Sequence, residues 1–381
     1  MGNWIQETVA EASTSERLEA ALQGLALIHS IRVTGQHNGR PTVEFVIDLQ
    51  GRDSGSVFDE ISQRFENLGY TPTLRQRDGD VILQALPVVM DKKTGKPWVN
   101  AVLFILTLLS VVFIGSVNEG GQPFTNPADL VLGLPFAGTL LGILTAHELS
   151  HYFVGRRYGS PVSLPYFIPL PLNILGTMGA VITQKGPMRS RKALFDIGVA
   201  GPIGGVIVAI PLLFLGLSLS NVQPLPEAQP YYLEGNSLLY FLAKFIVFGR
   251  PLPSGGMDVM LHPVAFAAWA GLMVTALNLF PVGQFDGGHV TYAMFGKTAW
   301  TIARVFVGTM IGWGLLLTLR GNEAGWTWVV WGVLGMLMGP KHPAPLDNLT
   351  PLGSTRRLMG WGVVVLFILT LVPVPLTIVT P

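Results

Sequence analysis

Cysteine is absent from this 381-residue chain. Disulfides and thiolate metal sites are thereby excluded, so any metal centre must be built from histidine and carboxylate. Charge is scarce: Asp, Glu, Lys and Arg make up 12% of residues, with a net charge of +1 and no long basic block. That balance argues against a nucleic-acid or acidic partner. The first residues, Met1-Gly2-Asn3-Trp4-Ile5-Gln6, carry neither a basic stretch nor an apolar core. A cleaved signal peptide or an organelle transit peptide is therefore not expected, and Gln6 spoils a myristoylation motif. No internal repeat of the kind that builds inverted-repeat transporters is visible.

Apolar sequence, by contrast, is abundant. Hydrophobic residues account for 49% of the chain and the mean hydropathy is +0.48, the composition of a multi-pass membrane protein. Residues 1–95 differ from the rest and read as a small soluble α+β domain. A helix is expected over Glu11 to Leu27, strands over Ser30 to Thr34 and Val43 to Leu49, a helix over Gly55 to Leu68, and a hairpin turned by Asp78-Gly79-Asp80. With no cluster of catalytic residue types, this domain reads as a regulatory or substrate-sorting appendage. The basic linker Lys92-Lys93-Thr94-Gly95-Lys96 then places the start of the first span in the cytoplasm, together with the soluble domain. Spans are expected over 98–117, 130–155, 195–219, 262–280, 299–319, 326–338 and 358–376, with Leu238 to Phe248 too short to cross. Residues 96–381 thus form a polytopic membrane domain. Gly176 to Thr183, β-branched and glycine-flanked, reads as an extended hairpin beside the second span, at a depth where irregular backbone survives only if it is buried in protein or lines a wet cavity.

One stretch of the second span carries chemistry. In His147-Glu148-Leu149-Ser150-His151 the two histidines lie one helical turn apart on a common face and can share a metal ion. Glu148, about 100° round the helix, can reach water at that ion without being a ligand. A charged side chain in an otherwise uncharged apolar run is expensive unless it works. A catalytic zinc site needs a third protein ligand, and Asp286 is a candidate: it follows the fourth span, beyond Pro281, beside Gly287-Gly288, which lets backbone approach closely. The topology returns it to the level of His151. Of the remaining histidines, His289 is read as turned away from a site into which Asp286 points, His262 as structural and His342 as solvated.

His147-Glu148-Leu149-Ser150-His151, together with Asn278-Leu279-Phe280-Pro281 and Asp286-Gly287-Gly288, resembles the signature of the site-2 protease family of intramembrane zinc metalloproteases. The likeness runs from about Leu130 to His289, and Phe195 to Pro202 is similar to that family's helix after the hairpin. No PDZ-like insertion is seen; the N-terminal soluble domain resembles the arrangement in cyanobacterial and plastid members. The resemblance implies an α-helical membrane protein with a zinc site between its helices and a membrane-associated β-hairpin. The catalytic core would lie at about 130–290, in a bacterial plasma membrane or a thylakoid-type membrane. It implies cleavage of membrane-protein substrates that carry a transmembrane segment, with Zn2+ held by His147, His151 and Asp286. Glu148 would be the base for zinc-activated water, and Asn278 would bind the substrate carbonyl or oxyanion. A transporter or channel for metal ions or protons is the alternative reading of the same buried His, Glu and Asp.

Overall fold

The computed structural model describes residues 14–89, 95–184, 186–226, 231–339 and 341–379. Residues 14–22 form helix α1; the expected start at Glu11 and most of the basic linker lie outside the described residues. Strands β1 (Leu27–His37) and β2 (Arg40–Asp48) follow, then α2 (Ser54–Asn67), β3 (Thr71–Arg77) and β4 (Asp80–Leu86). The four strands make one antiparallel sheet in the order β1-β2-β4-β3. Asn38 and Gly39, like Asp78 and Gly79, have positive φ. That is what a two-residue hairpin turn requires, and Asn-Gly and Asp-Gly meet it at little cost. Helix α2 starts where Asp53 accepts a hydrogen bond from Ser56 N–H at 2.9 Å, and it buries Val57, Phe58, Ile61 and Phe65 against the sheet.

The remainder is mainly helical: α3 (Pro97–Asn118), a 3-10 turn (Pro127–Gly133), α4 (Leu134–Arg157), β5 (Tyr166–Pro169), β6 (Thr177–Val181), α5 (Arg191–Ser218), β7 (Asn221–Pro224), β8 (Tyr231–Glu234), α6 (Leu238–Phe248), β9 (Met257–Met260), α7 (Pro263–Asn278), α8 (Asp286–Phe295), α9 (Thr298–Leu319), α10 (Gly325–Leu337), α11 (Ser354–Thr370) and β10 (Leu376–Val379). Four helical stretches, 97–118, 127–157, 191–218 and 298–319, are long and apolar enough to cross a membrane. Helices α6, α7 and α10 are apolar but shorter. The chain has the build of a multi-pass membrane protein.

Local structure departs from the sequence reading at three places. Residues 177–181 are one strand, not a closed hairpin; the partner is β5, drawn from the proline-rich stretch before it. A strand can hold Pro165 and Pro169 at its ends because an edge strand needs no N–H donor there. The last expected span stops at Thr370, and Leu376–Val379 pairs with β8. Residues Val372-Pro373-Val374-Pro375 forbid helix between the two. Helix α1 ends at residue 22, and Leu27, the expected end of that helix, opens β1. Lys244 of α6 is fully buried, 3.6 Å from Glu234 and 3.5 Å from Asp258, so its charge is paired.

Two features position the site. Helix α5 presents small residues to α4 and α8: a Cβ added at Gly201 would collide with the His151 ring, one at Gly204 with Ser150, and one at Gly198 would stand 2.8 Å from the Cβ of His289. The approach of α4 and α8 to α5 depends on these missing side chains. The segment 346–348 lies between β3 and the chain before α5. Leu74 N–H donates to Leu346 O at 2.7 Å and Asn348 N–H to Leu74 O at 3.0 Å, while Leu346 N–H donates to Met188 O at 2.8 Å. The N-terminal sheet is thereby joined, through one extended segment, to a wall of the cavity described next.

Candidate metal centre

His147 and His151 project from one face of α4 and are 3% and 4% exposed. Asp286 arrives from the first turn of α8. Pro281 and the turn after α7 reverse the chain, and a Cβ on Gly287 or Gly288 would collide with the carbonyls of Leu279 and Gly283, so glycine lets α8 seat on that turn. As a result His147 Nε2, His151 Nε2 and Asp286 Oδ2 stand at 3.2 Å from one another on all three sides of a triangle. Atoms bound at about 2.0 Å around a tetrahedral zinc stand about 3.3 Å apart, so the triangle has the size of one face of such a site.

The donor chemistry fits a cation as well. His151 Nδ1–H donates to Ile197 O at 2.7 Å, which leaves a lone pair on Nε2 of the neutral ring. That lone pair converges with a carboxylate oxygen and with His147 Nε2 in a water-poor spot, a set of atoms that one positive ion would satisfy together.

Glu148 is 5% exposed and not part of the triangle. It lines the same cavity of about 290 Å³, with its carboxyl facing the backbone N–H of Ile182 just past β6. Asn278, the last residue of α7, brings its side-chain Nδ2 to 3.3 Å from His147 Nε2. All five candidate residues named from the sequence therefore border one space, with Ala180, Val181 and Ile182 forming a wall.

Two histidines are placed differently from the sequence reading. His289 does not turn away from the pocket; it lines it beside Asp286, because residues three apart on a helix share a face. His342 is buried, at 4% exposure, instead of solvated. Its Nδ1–H donates to Pro343 O at 2.6 Å, and its Nε2 receives Nδ1–H of His289 at 2.6 Å. The ring also stacks on Tyr292 at 4.9 Å. Nothing in the local sequence around Lys341-His342-Pro343 signals this, since the partner lies 53 residues away.

Burial pushes His342 down from 6.5 to about 4. Between those values the unfolded chain binds a proton that the folded chain does not, so this contribution is complete above pH 6.5 and is lost as the pH falls towards 4. The shift corresponds to roughly 3 kcal/mol. Thermal unfolding of wild type and His342→Gln at pH 7.5 and pH 5 is expected to show the smaller acid loss in the variant. Equal losses in both would remove His342 as the cause.

Comparison with known proteins places these residues in context. Residues 135–319 match the family model of peptidase family M50. The chain is 31% identical over 297 residues to the probable zinc metalloprotease EGY1, chloroplastic, of Arabidopsis thaliana, covering 72% of this chain and 52% of that protein. It is 30% identical over 298 residues to the probable zinc metalloprotease EGY3, chloroplastic, of Oryza sativa subsp. indica, covering 74% and 49%. With the probable zinc metalloprotease EGY2, chloroplastic, of Arabidopsis thaliana it shares 26% over 356 residues, covering 90% and 62%. The chain thus spans about half the length of the first two relatives. No solved structure matches significantly. The names of these relatives, and of the family, are those of peptidases and not of carriers, so the transporter reading gains no support. Residues 135–319, which hold the histidine pair and the aspartate brought to it, thus match peptidase family M50, the family of the site-2 proteases, and the relatives that the chain resembles carry the names of zinc metalloproteases.

Proposed function

We propose that this chain is an intramembrane zinc endopeptidase that hydrolyses peptide bonds of membrane-protein substrates carrying a transmembrane segment. The observation that carries the reading is the 3.2 Å triangle of His147, His151 and Asp286, with Glu148 and Asn278 lining the same cavity. A zinc ion held by those three residues supplies Lewis acidity, which acidifies water and polarises a peptide carbonyl. Glu148 takes the proton of the attacking water as its oxygen adds to the scissile carbonyl carbon. As the C–N bond breaks, the same carboxyl passes that proton to the leaving amine. Asn278 donates from its amide to the carbonyl oxygen as negative charge grows there.

A substrate helix has its backbone amides satisfied internally and must unwind to be cut. β6 has β5 as its one strand partner among the described residues, and its end borders the cavity. An unwound segment laid along the free edge of this membrane-associated hairpin gains strand hydrogen bonds in place of those it gave up. In this reading residues 1–95 form a soluble regulatory domain on the cytoplasmic side of a bacterial plasma membrane or thylakoid-type membrane. Residues 96–381 form the protease domain, with its catalytic core at about 130–290.

The test is purified protein in lipid nanodiscs, incubated with a transmembrane-segment peptide before and after chelation and after return of zinc. Cleavage is expected to disappear with the metal and to return with it, at one zinc per chain. Undiminished cleavage by metal-free protein, or an inert protein with stoichiometric zinc, would overturn the proposal.

A further inference from the structure

Away from the metal centre, two neighbouring cavities share Arg157 and Tyr158 in their walls and together make a cleft. The larger, of about 680 Å³, lies between α4, α5 and α11 and has apolar walls that include Val154, Val199, Ile203 and Met359. The second, of about 530 Å³, lies under the N-terminal domain and holds Arg157, Lys192 and Arg189 together with Asp53 and Asp59.

The charges in this cleft are unevenly satisfied. Asp59 is taken by Arg189 at 2.9 Å, and Asp53 accepts from Ser56 N–H at 2.9 Å. Asp196 is taken by Arg356 through two contacts of 2.8 Å and by the Tyr158 hydroxyl at 2.5 Å. Arg157 and Lys192 have no ion pair or side-chain hydrogen bond among the described residues, although Lys192 feels the Asp53 carboxylate. Of these two cations Arg157 lines both cavities, and Lys192 lines the polar one beside it.

Depth also matches a particular ligand. Arg157 ends α4, Lys192 opens α5 and Arg356 opens α11, so all three mark the same end of the helix bundle. From Lys192 the α5 wall descends to Ile203, about 16 Å along a helix, against about 15 Å for one leaflet of hydrocarbon. Ile203 is 38% and Met359 45% exposed, so the apolar cavity opens sideways to the bilayer.

We propose that this cleft is a binding site for an anionic glycerophospholipid, its acyl chain against the α4, α5 and α11 wall and its phosphate against Arg157 and Lys192. The lipid would bridge the membrane helices and the N-terminal domain. Juxtamembrane cations attract anionic lipid by roughly fivefold in affinity each.

Native mass spectrometry of the full chain, titrated with dioleoyl phosphatidylglycerol or dioleoyl phosphatidylcholine, tests this. One phosphatidylglycerol is expected to be retained in preference to phosphatidylcholine. Arg157→Gln with Lys192→Gln should weaken retention by roughly 25-fold, Ile203→Trp should abolish it by filling the groove, and Arg320→Gln on α9 should leave it unchanged. Equal retention of both lipids would overturn the proposal, as would equal effects of all variants. So would complete displacement by inorganic phosphate, which would mark the site as one for the free anion. Should the double variant fail to fold, Lys192→Gln alone carries the same comparison with a roughly fivefold effect.

Discussion

Glu148→Gln is expected to abolish peptide cleavage while zinc content stays at that of wild type. The glutamine keeps the size and shape of a side chain that is 5% exposed, so packing is conserved. None of the three atoms of the triangle belongs to Glu148, so metal affinity has no reason to fall. What is lost is the only carboxylate besides Asp286 among the described residues lining the cavity, and with it the group proposed to accept and return the proton. General-base catalysis is worth about 10²- to 10⁴-fold, and a loss of at least that size is expected in kcat, with KM for the transmembrane peptide little changed. Turnover by the variant within a few-fold of wild type, measured alongside zinc by atomic absorption, would remove Glu148 from the mechanism.

The second large effect is expected at a residue with no functional group. In Gly201→Ala the new methyl would overlap His151 Nε2, and in the interior of α5 the backbone cannot yield. The imidazole has to swing away, giving up both the donation to Ile197 O and its corner of the triangle. Losing an orienting hydrogen bond alone weakens metal binding about 10- to 100-fold; displacing a ligand should cost more. Zinc content after dialysis is therefore expected to collapse and activity with it. Gly138→Ala on α4, where an added Cβ meets nothing within 4 Å, serves as the control and should retain both. If Gly201→Ala holds zinc as tightly as the control, the close seating of α5 on the histidine face is not what shapes the site.

Much of the arrangement follows from local rules. The i, i+4 spacing of His147 and His151 places two imidazoles on one face of any helix, whatever that helix packs against. Long uncharged runs demand helices, because every backbone amide must be satisfied within its own segment in hydrocarbon. Asp78-Gly79 takes the positive φ that its hairpin needs. Ala200-Gly201-Pro202 and Gly204-Gly205 are legible as small residues that permit close helix packing, although the helices they meet are not.

Long-range pairing accounts for the rest. The partner of β6 could not be read from Thr177–Val181, because strand pairing is settled by which chain lies alongside, and here that chain is the proline-containing β5. Polarity and neighbouring prolines made His342 look solvated. It is buried because His289 offers a proton and Tyr292 a ring face, two residues brought near only when α8 packs on α5. The same packing turns His289 into the cavity along with Asp286. The insertion of 346–348 between β3 and Met188 is likewise a contact between segments more than 150 residues apart, which no local pattern encodes.

By itself the sequence determined the helix that carries His147, Glu148 and His151, the apolar character of its neighbours and the turn that sets Asp286 free, since each depends on a few adjacent residues. The tertiary structure decided that these atoms meet at 3.2 Å, because that separation depends on how closely α4 and α8 can approach α5. That approach is set by steric exclusion between helices distant in sequence, and missing side chains on α5 provide the room.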